Sequence, residues 1–388
     1  MSIFRFPPLV WLGIGILIIS LGIRQSFGIF MMPISETFNT GREFFSLAIA
    51  LQNLMFGAFQ PFIGMAADRF GARRIIALGG MAYAMGLYLT SVATDAGMLY
   101  LSIGVLVGLG LSATSYVIIL GAVAKVVPAE HTAKAFGLTT AAGSFGMFAV
   151  IPGAQALLAN FDWQTAMQVF AMVCAVMLAF SAFMKTGKSA AATNAADESQ
   201  TLRDALRKAF RHRGYWFIHA GFFVCGFQVM FIATHLPSYI ADKGLPGNTA
   251  AMALAYVGIF NIFGSYFWGL MGDKFNKRYV MTSLYLMRAV VLSLFVLLPL
   301  TTETATVFGA AIGFCWLGTV PLTSGLVRQI FGPRYMSTLY GLVFFTHQIG
   351  SFMGACWWPN LRLLRFLYSN LVGDRCIGRC CGAASFAD

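Results

Sequence analysis

The sequence predicts an all-α, multi-pass membrane protein built from two helical bundles in parallel orientation. Three observations support this fold class. Of the 388 residues, 58% are hydrophobic and only 10% are charged, whereas about 25% of residues are charged in an ordinary soluble domain. Apolar runs of about 20 residues, the length that crosses a bilayer, recur along the chain. A charged motif also occurs twice, which divides the chain into two similar halves.

Eleven apolar runs bounded by charge, Gly or Pro are long enough to span a membrane. The first run is too long for the hydrophobic region of a signal peptide and lacks a small-residue cleavage site, so it is assigned as a span. The predicted spans are 9–32, 44–67, 75–93, 98–121, 135–158, 165–185, 215–240, 250–271, 279–300, 305–327 and 336–356.

Lys and Arg residues concentrate in alternate loops between these spans. The loops on the other side contain Arg42 and Lys243. Under the positive-inside rule, this bias places the N-terminus and the segment 186–213 in the cytoplasm and predicts a multi-pass protein of the plasma membrane, the inner membrane of a bacterium. The formal net charge of +12 therefore reflects topology, and no nucleic-acid partner is expected.

The segment between spans 6 and 7 differs in composition from the rest of the chain. Residues 187–200 are small and polar, and the following stretch has Leu202, Leu206 and Phe210 at helical spacing. This pattern predicts a linker followed by a short amphipathic helix. Its basic residues would lie against anionic headgroups or would simply face water, and both interpretations stay open. The predicted organisation is 1–185, an N-terminal six-helix bundle; 186–213, a cytoplasmic linker; 214–356, a C-terminal bundle; and 357–388, an atypical tail.

The sequence GMAADRFGARR after span 2 recurs as GLMGDKFNKRY after span 8. Aligning Gly64 with Gly269 also pairs Asp68 with Asp273, at a constant offset of 205 residues. This offset corresponds to six spans plus the linker, so the two halves have the same orientation, as in secondary transporters.

The first copy closely resembles the motif G-x-x-x-D-R-x-G-R-R of the major facilitator superfamily. The resemblance covers residues 1 to about 356 and implies a plan of twelve helices in two bundles. In this family the cluster holds the cytoplasmic side shut in one state, which implies gating by Asp68, Arg69, Asp273 and Lys274. The alternative is that these charges only set topology. The matching positions are Gly64, Asp68, Arg69, Gly71, Arg73 and Arg74 in the first copy, and Gly269, Asp273, Lys274 and Arg278 in the second.

Ionisable residues inside the predicted spans are few, and none is acidic. They are Arg24, Arg288, His219, His235 and His347, while all 14 acids lie outside the span interiors. A charge near the bilayer centre costs at least about 2.5–3.5 kcal/mol, so each such residue is a candidate for function. Cationic positions without carboxylates favour an anionic substrate.

The segments IRQSFGIFMMPI, GFQVMFIATHLPSYI and THQIGSFMGA resemble the bacterial monocarboxylate-transporter-like and oxalate/formate-exchanger-like branch. This resemblance implies a small organic anion as substrate, approached by Tyr116, His235 and Asn261. Span 8 lacks the Arg that the branch often has, so Arg24 or Arg288 would supply the charge, or the substrate is different. The candidate substrate-binding residues are Arg24, Gln25, Tyr116, Gln228, His235, Asn261, Arg288, His347 and Gln348.

Several of these candidates have a structural alternative. Arg24 with Gln25 would form an interhelical clamp, and Arg288 would extend toward the cytoplasmic headgroups. His235 would carry a coupling proton or would be a satisfied structural histidine. His347 would serve helix packing.

The repeat predicts a twelfth span at about 370–390, but the sequence there contains Asp374, Arg375 and Arg379 and cannot cross a membrane. The glycine-rich, apolar pattern ends after Ala355. This change predicts a frameshift or truncation near Cys356, with helix 12 lost or scrambled. The alternative is a genuine amphipathic, acylated tail built on 361–372 and the nearby cysteines.

The sequence shows no CxxC pair, no Cys/His ligand spacing, no Ser/His/Asp arrangement and no phosphate-binding loop. We therefore expect no enzyme activity, no metal and no cofactor. The expected function is secondary active transport of a small organic anion, with a co-transported or exchanged ion as a further partner and a monomer in the bilayer as the unit. The alternatives are an exporter of an uncharged or drug-like solute, a non-transporting sensor, and a defective truncated transporter.

Overall fold

The computed structural model describes residues 6–40, 42–184 and 201–372. These residues are 89% helical and contain no strand, so the predicted all-α fold class is confirmed. Eight single helices are long and apolar enough to cross a membrane, and the two bent segments of α2 would make a ninth. The elements are α1 (Pro8–Thr37), α2 (42–70), α3 (Ala72–Ser91), α4 (Gly97–Val126), α5 (Thr132–Asn160), α6 (Trp163–Phe183), α7 (Arg213–Asp242), α8 (Gly247–Lys274), α9 (Lys277–Leu297), α10 (Thr302–Phe331) and α11 (Met336–Val372).

Short capped turns separate these helices. Asp162 caps α6 by accepting a hydrogen bond from the backbone N–H of Thr165 at 2.6 Å, and hydrogen bonds with Thr165 hold the pKa of Asp162 below its ordinary value. Gly71 links α2 to α3 with a φ of 91°, a conformation that favours glycine.

Three predicted spans are continuous in the sequence but broken in the structure, so their predicted continuity is wrong. The segments of α2 meet at Phe59 with a bend of 47°. Pro61 stands in the first turn of the second segment, where its missing N–H costs least. In α4 the backbone is extended at Ser115, and α10 is interrupted between Phe314 and Thr319.

The last helix is longer than the sequence predicts. α11 continues to Val372, so the predicted end of the helix near 356 is wrong. The segment after 356 reads WWPNLRLLRFLYSNLV, in which Leu and Arg favour helix. The position of a twelfth span, about 370–390, and the residues after 372 lie almost entirely outside the described ranges.

Two halves contact each other mainly through α2 with α11 and α5 with α8, and also through α5 with α10 and α4 with α11. The first half comprises α1–α6, with α1 packed on α5 and α3 on α6. The second half comprises α7–α11, with α7 packed on α11 and α8 on α10. The loops after α2, α4, α8 and α10 lie at one end of the molecule, called the basic end because of its Lys and Arg residues.

A short linker helix, Leu202–Arg211, precedes α7. Thr201 and Asp204 form a capping box, and hydrogen bonds with Thr201 hold the pKa of Asp204 below its ordinary value. Ala205 and Ala209 are buried, so one side of the helix faces the protein. The basic side chains are all exposed, namely Arg203, Arg207, Lys208 and Arg211.

Candidate functional site

Asp68, at the end of α2, joins the two halves at the basic end. One carboxylate oxygen accepts hydrogen bonds from the backbone N–H of Thr338 at 2.7 Å and from its hydroxyl at 2.8 Å. The other oxygen accepts from Lys125 Nζ at 2.9 Å, and the Asp68 side chain is 1% exposed. Thr338 lies in the first turn of α11, so the carboxylate sits where a helix N-terminus favours negative charge.

Asp273, at the end of α8, makes the corresponding contact with the first half. Its two oxygens accept from the backbone N–H groups of Ala133 at 2.9 Å and Lys134 at 2.7 Å, in the first turn of α5. The offset of 205 residues that pairs Asp68 with Asp273 also pairs Ala133 with Thr338. The sequence repeat is therefore present in the geometry of this interface.

The glycines of the two motif copies allow these contacts. A Cβ atom on Gly64 would lie 2.8 Å from the carbonyl carbon of Ser337 in α11, and one on Gly269 would lie 2.7 Å from Cα of Gly137 in α5. Any larger side chain would push the halves apart at the basic end.

The cations of the motif do not bridge the halves in the described part of the chain. The guanidinium of Arg69 lies 5.2 Å from the ring centroid of its neighbour Phe70. Lys125, at the end of α4, pairs with Asp68 instead. Sequence reasoning used Lys125 only as a topology signal, because its distance from Asp68 along the chain hides the contact. The exposed motif cations are Arg69, Arg73, Arg74, Lys274 and Arg278.

Toward the opposite end, α5 and α8 separate. Their last described hydrogen bond joins Asn261 Nδ2 to Ser144 Oγ at 2.8 Å. Nearly one turn farther along α8, a Cβ atom on Gly258 would meet nothing within 4 Å, and Phe148 on α5 is 45% exposed. The described polar contacts between α5 and α8 thus lie between the basic end and Asn261.

Arg24 lies near the middle of α1 and is half-buried. Its Nη2 donates to Asn53 Oδ1 on α2 at 2.6 Å, and its guanidinium lies 5.0 Å from the ring centroid of Phe56. No carboxylate of the described residues forms an ion pair with it. The neutral partners hold the guanidinium in place and leave its charge unbalanced.

The Arg24 site faces the boundary between the halves. Phe56 packs edge-on against Phe344 of α11, with ring centroids 5.6 Å apart. A Cβ atom on Gly57 would lie 2.9 Å from Cβ of Gln348. Gln25 is exposed beside Arg24. The structure therefore brings Arg24, Gln25 and Gln348 to one region, together with Asn53 and Phe56, which were not among the predicted site residues.

Tyr116 and Asn261 are buried, at 4% and 3% exposure. Tyr116 lies near Arg24 and interacts with it electrostatically, and its hydroxyl donates to the carbonyl of Thr140 at 3.4 Å. Asn261 Oδ1 accepts from the backbone N–H of Leu317 at 3.0 Å, within the break in α10. Asn261 thus ties α8 to both α5 and α10.

Arg288 donates hydrogen bonds to the backbone carbonyls at the break in α10. Its Nε and Nη2 donate to the carbonyl of Cys315 at 3.0 and 2.6 Å, and Nη2 also donates to the carbonyl of Trp316. Its Nη1 lies 3.5 Å from Gln228 Oε1, and Arg288 is 2% exposed. The predicted alternative, in which Arg288 reaches the headgroups, is wrong because these carbonyls at a helix C-terminus hold the guanidinium inside the second half.

The remaining candidates lie within the second half. His347 is 9% exposed, and its Nδ1 lies 3.3 Å from Gln348 Oε1. The Sγ atom of the buried Cys225 lies 3.1 Å from Thr319 Oγ1. His235 is half-buried and packs against Phe231, with ring centroids 4.9 Å apart.

The family of the chain follows from comparison with known proteins. Residues 10–355 match the Major Facilitator Superfamily. The chain belongs to this superfamily. Fucose:proton symporter FucP of E. coli shares the fold, with a TM-score of 0.70 at 13% identity over 94% of this chain and 93% of that chain. The protein is therefore a multi-pass membrane protein of a transporter family.

Sequence relatives match the predicted branch. Monocarboxylate transporter 13 of Rattus norvegicus is 25% identical over 349 residues, covering 86% of this chain and 77% of that protein. The oxalate:formate antiporter of Oxalobacter formigenes is 21% identical over 336 residues, covering 86% of this chain and 79% of that protein. The family predicted from the repeated motif is confirmed, and these relatives include both named groups of the branch.

Proposed function

We propose that this protein is a secondary active transporter that moves a small organic anion, such as a monocarboxylate, across the plasma membrane by alternating access. The observation that carries the proposal is Arg24, a cation near mid-span at the boundary between the halves without a carboxylate partner in the described residues.

An anion explains the surroundings of Arg24. Keeping a guanidinium near mid-membrane is costly, so its charge needs a compensating partner. Asn53 occupies Nη2, whereas Nε and Nη1 have no hydrogen-bond partner in the described chain. Each two-point edge of a guanidinium includes Nη2, which has two N–H groups, so a carboxylate can use the second Nη2 N–H together with either Nε or Nη1. The names of the relatives, which refer to monocarboxylates, oxalate and formate, point to the same substrate class.

The other predicted site residues take more distant roles in this proposal. Gln25, Tyr116 and Gln348 surround the bound anion, while Asn261 couples α8 to α5 and α10. Gln228 and Arg288 support the break in α10. His235 and His347 are the candidates for a coupling proton, because imidazole titrates near neutral pH.

The two carboxylate contacts support alternating access. Asp68 and Asp273 each hold a helix N-terminus of the other half, and together they keep the basic end shut. By the positive-inside bias we place this end and the N-terminus in the cytoplasm, so the contacts of Asp68 and Asp273 would close the Arg24 site to the cytoplasm. The exposed cations Arg69, Arg73, Arg74, Lys274 and Arg278 anchor the end at the headgroups.

Replacing Gly64 with Ala is expected to slow exchange about tenfold, because the new Cβ atom would meet the Ser337 backbone and hinder closure of the basic end. The rate of substrate exchange in proteoliposomes measures this effect. Gly153→Ala is the matched control, since it makes the same change of helix propensity at a position where Cβ would meet nothing within 4 Å. Equal rates in both variants would contradict the gating role of Gly64.

The test of the proposed function is counterflow. Proteoliposomes containing the purified full chain are loaded with one unlabelled carboxylate of a panel and diluted into the same labelled carboxylate. A transporter accumulates label transiently, and the uncharged amide of the same acid should not compete. A sensor would bind the acid without accumulating label. An exporter of uncharged solutes would be equally inhibited by the amide. Either of these results would overturn the proposal.

A further inference from the structure

Asp68 and Asp273 differ in the partners that each carboxylate would keep when the halves separate at the basic end. Asp68 and Lys125 both belong to the first half, so their ion pair of 2.9 Å survives separation. Asp273 accepts hydrogen bonds from Ala133 and Lys134, and both donors belong to the first half. Opening would therefore remove both of these hydrogen bonds from Asp273 at once, in a region where an unpaired charge is costly.

Arg328, near the end of α10, also has its hydrogen-bond partner in the first half, and it carries the opposite charge to Asp273. Its Nη2 donates to the carbonyl of Val127 at 2.7 Å, at the end of α4 in the first half. Its Nη1 is buried without an acceptor among the described residues, and the whole residue is 7% exposed. Opening would remove the one hydrogen bond that its guanidinium makes.

Asp273 and Arg328 belong to the same half and lie on neighbouring helices. A Cβ atom on Gly272 would lie 2.7 Å from Cδ2 of Leu322 in α10. One on Gly325, one turn before Arg328, would lie 4.0 Å from Cβ of Ala133, which donates to Asp273. They are not paired in the closed state because both carboxylate oxygens accept from α5. When the basic end opens, both groups lose their partners in the same movement. A carboxylate and a guanidinium freed together on neighbouring helices form the strongest contact open to either of them.

We propose that Arg328 is a positioning residue for alternating access. When the basic end opens, its guanidinium leaves the carbonyl of Val127 and pairs with the carboxylate of Asp273. The exchange keeps both charges of the second half satisfied in the two states. The first half needs no exchange because Lys125 stays with Asp68. The inference rests on the alternating access of the proposed function and adds the residue that stabilises its inward-open state.

Two other basic groups lie near Asp273, namely Lys277 on α9 and His131 before α5. His131 belongs to the first half and leaves with it. Lys277 packs its side chain along Gly325 of α10, with Cε 3.2 Å from the position of a Cβ atom there, and is half-buried. Its ammonium can reach water, whereas the buried guanidinium of Arg328 offers a two-point fork.

The test measures the distance between spin labels at the basic end of the full chain in nanodiscs, after replacement of the native cysteines. Labels at Phe183→Cys on α6 and Tyr279→Cys on α9 report on the two halves, since these side chains are 72% and 76% exposed. An Asp68→Asn background weakens the other contact, so that long and short distances are both populated. No substrate is required.

In this background, Arg328→Gln is expected to lower the ratio of long to short distances about fivefold, because Asp273 would lose its partner in the open state. Arg328→Lys should lower it about twofold, and it carries the test if the Gln variant does not fold. Arg213→Gln removes an exposed cation of the same half and should leave the ratio unchanged.

A rise in the ratio for Arg328→Gln would identify Arg328 as a latch of the closed state and overturn the proposal. An unchanged ratio would overturn it too, as would a fall produced by Lys277→Gln in place of Arg328→Gln. A single short distance in every variant would contradict alternating access itself. Failure of carboxylate exchange in liposomes with these distances behaving as expected would count against the substrate class and not against the partner exchange.

Discussion

Replacing Arg24 with Gln is expected to lower carboxylate exchange about 100-fold while the protein still folds and inserts. The variant keeps a polar side chain that can reach Asn53, but it removes the charge that the substrate carboxylate would meet. A hydrogen bond between charged groups is worth about 1.5–3 kcal/mol, which corresponds to a large loss of affinity. Initial rates of counterflow, normalised to the amount of folded protein, measure the effect.

Arg24→Lys separates charge from geometry. It should restore part of the exchange at a raised KM, because a single ammonium replaces the two-point fork over Phe56. Arg213→Gln removes an exposed cation outside the site and should exchange at the normal rate. Normal exchange by Arg24→Gln would show that Arg24 and Asn53 form only an interhelical clamp.

The second large effect is expected at Arg288, and it concerns stability. Arg288→Met would leave the carbonyls of Cys315 and Trp316 without their donor at the break of α10. An unsatisfied buried polar group costs about 1–3 kcal/mol, so we expect a loss of about 2–5 kcal/mol in the free energy of unfolding. This is a large part of the stability of an ordinary domain, which is about 5–15 kcal/mol. Thermal unfolding of the purified protein measures it.

Arg24→Gln serves as the comparison for Arg288→Met. The Arg24 variant should unfold near the normal temperature and lose exchange, whereas the Arg288 variant should unfold at a lower temperature. If Arg288→Met unfolds normally but no longer exchanges the carboxylate, Arg288 binds substrate and the structural assignment is wrong.

The sequence was sufficient to predict the fold class and the repeated motif, because both depend on local patterns. Hydropathy defined the spans, and the pairing of Asp68 with Asp273 predicted two related halves. The structure adds that Ala133 and Thr338 obey the same offset, which puts each carboxylate on a helix N-terminus of the other half. The carboxylate of Asp68 contacts both a helix N-terminus, at Thr338, and a cation, Lys125.

The details that sequence reasoning missed depend on contacts between distant segments. Lys125 lies far from Asp68 along the chain, and Arg328 far from Val127, so no spacing rule relates them. The direction of a side chain around a helix near mid-membrane is also invisible to hydropathy. Arg24 and Arg288 therefore look alike in the sequence, although one faces the boundary between the halves and the other is bound by the carbonyls of α10.

The helix breaks form a third class of difference. Span-length patterns assume continuous helices. Ser115, where the backbone of α4 is extended, is not a residue type that strongly breaks helices. In α2 the Pro61 signal was present and coincides with the first turn after the bend. The length of α11 was missed because charged residues within LRLLRFLY argue against a membrane span but do not argue against a helix.

The central claim is that Arg24 binds the charge of a carried anion, and charge discrimination at this residue tests it most directly. Uptake of a short monocarboxylate and of its uncharged amide is compared in proteoliposomes containing the wild-type chain or Arg24→Gln. We expect the wild type to prefer the carboxylate by about 100-fold or more and the variant to lose this preference. A variant that exchanges the carboxylate as selectively as the wild type would contradict the account.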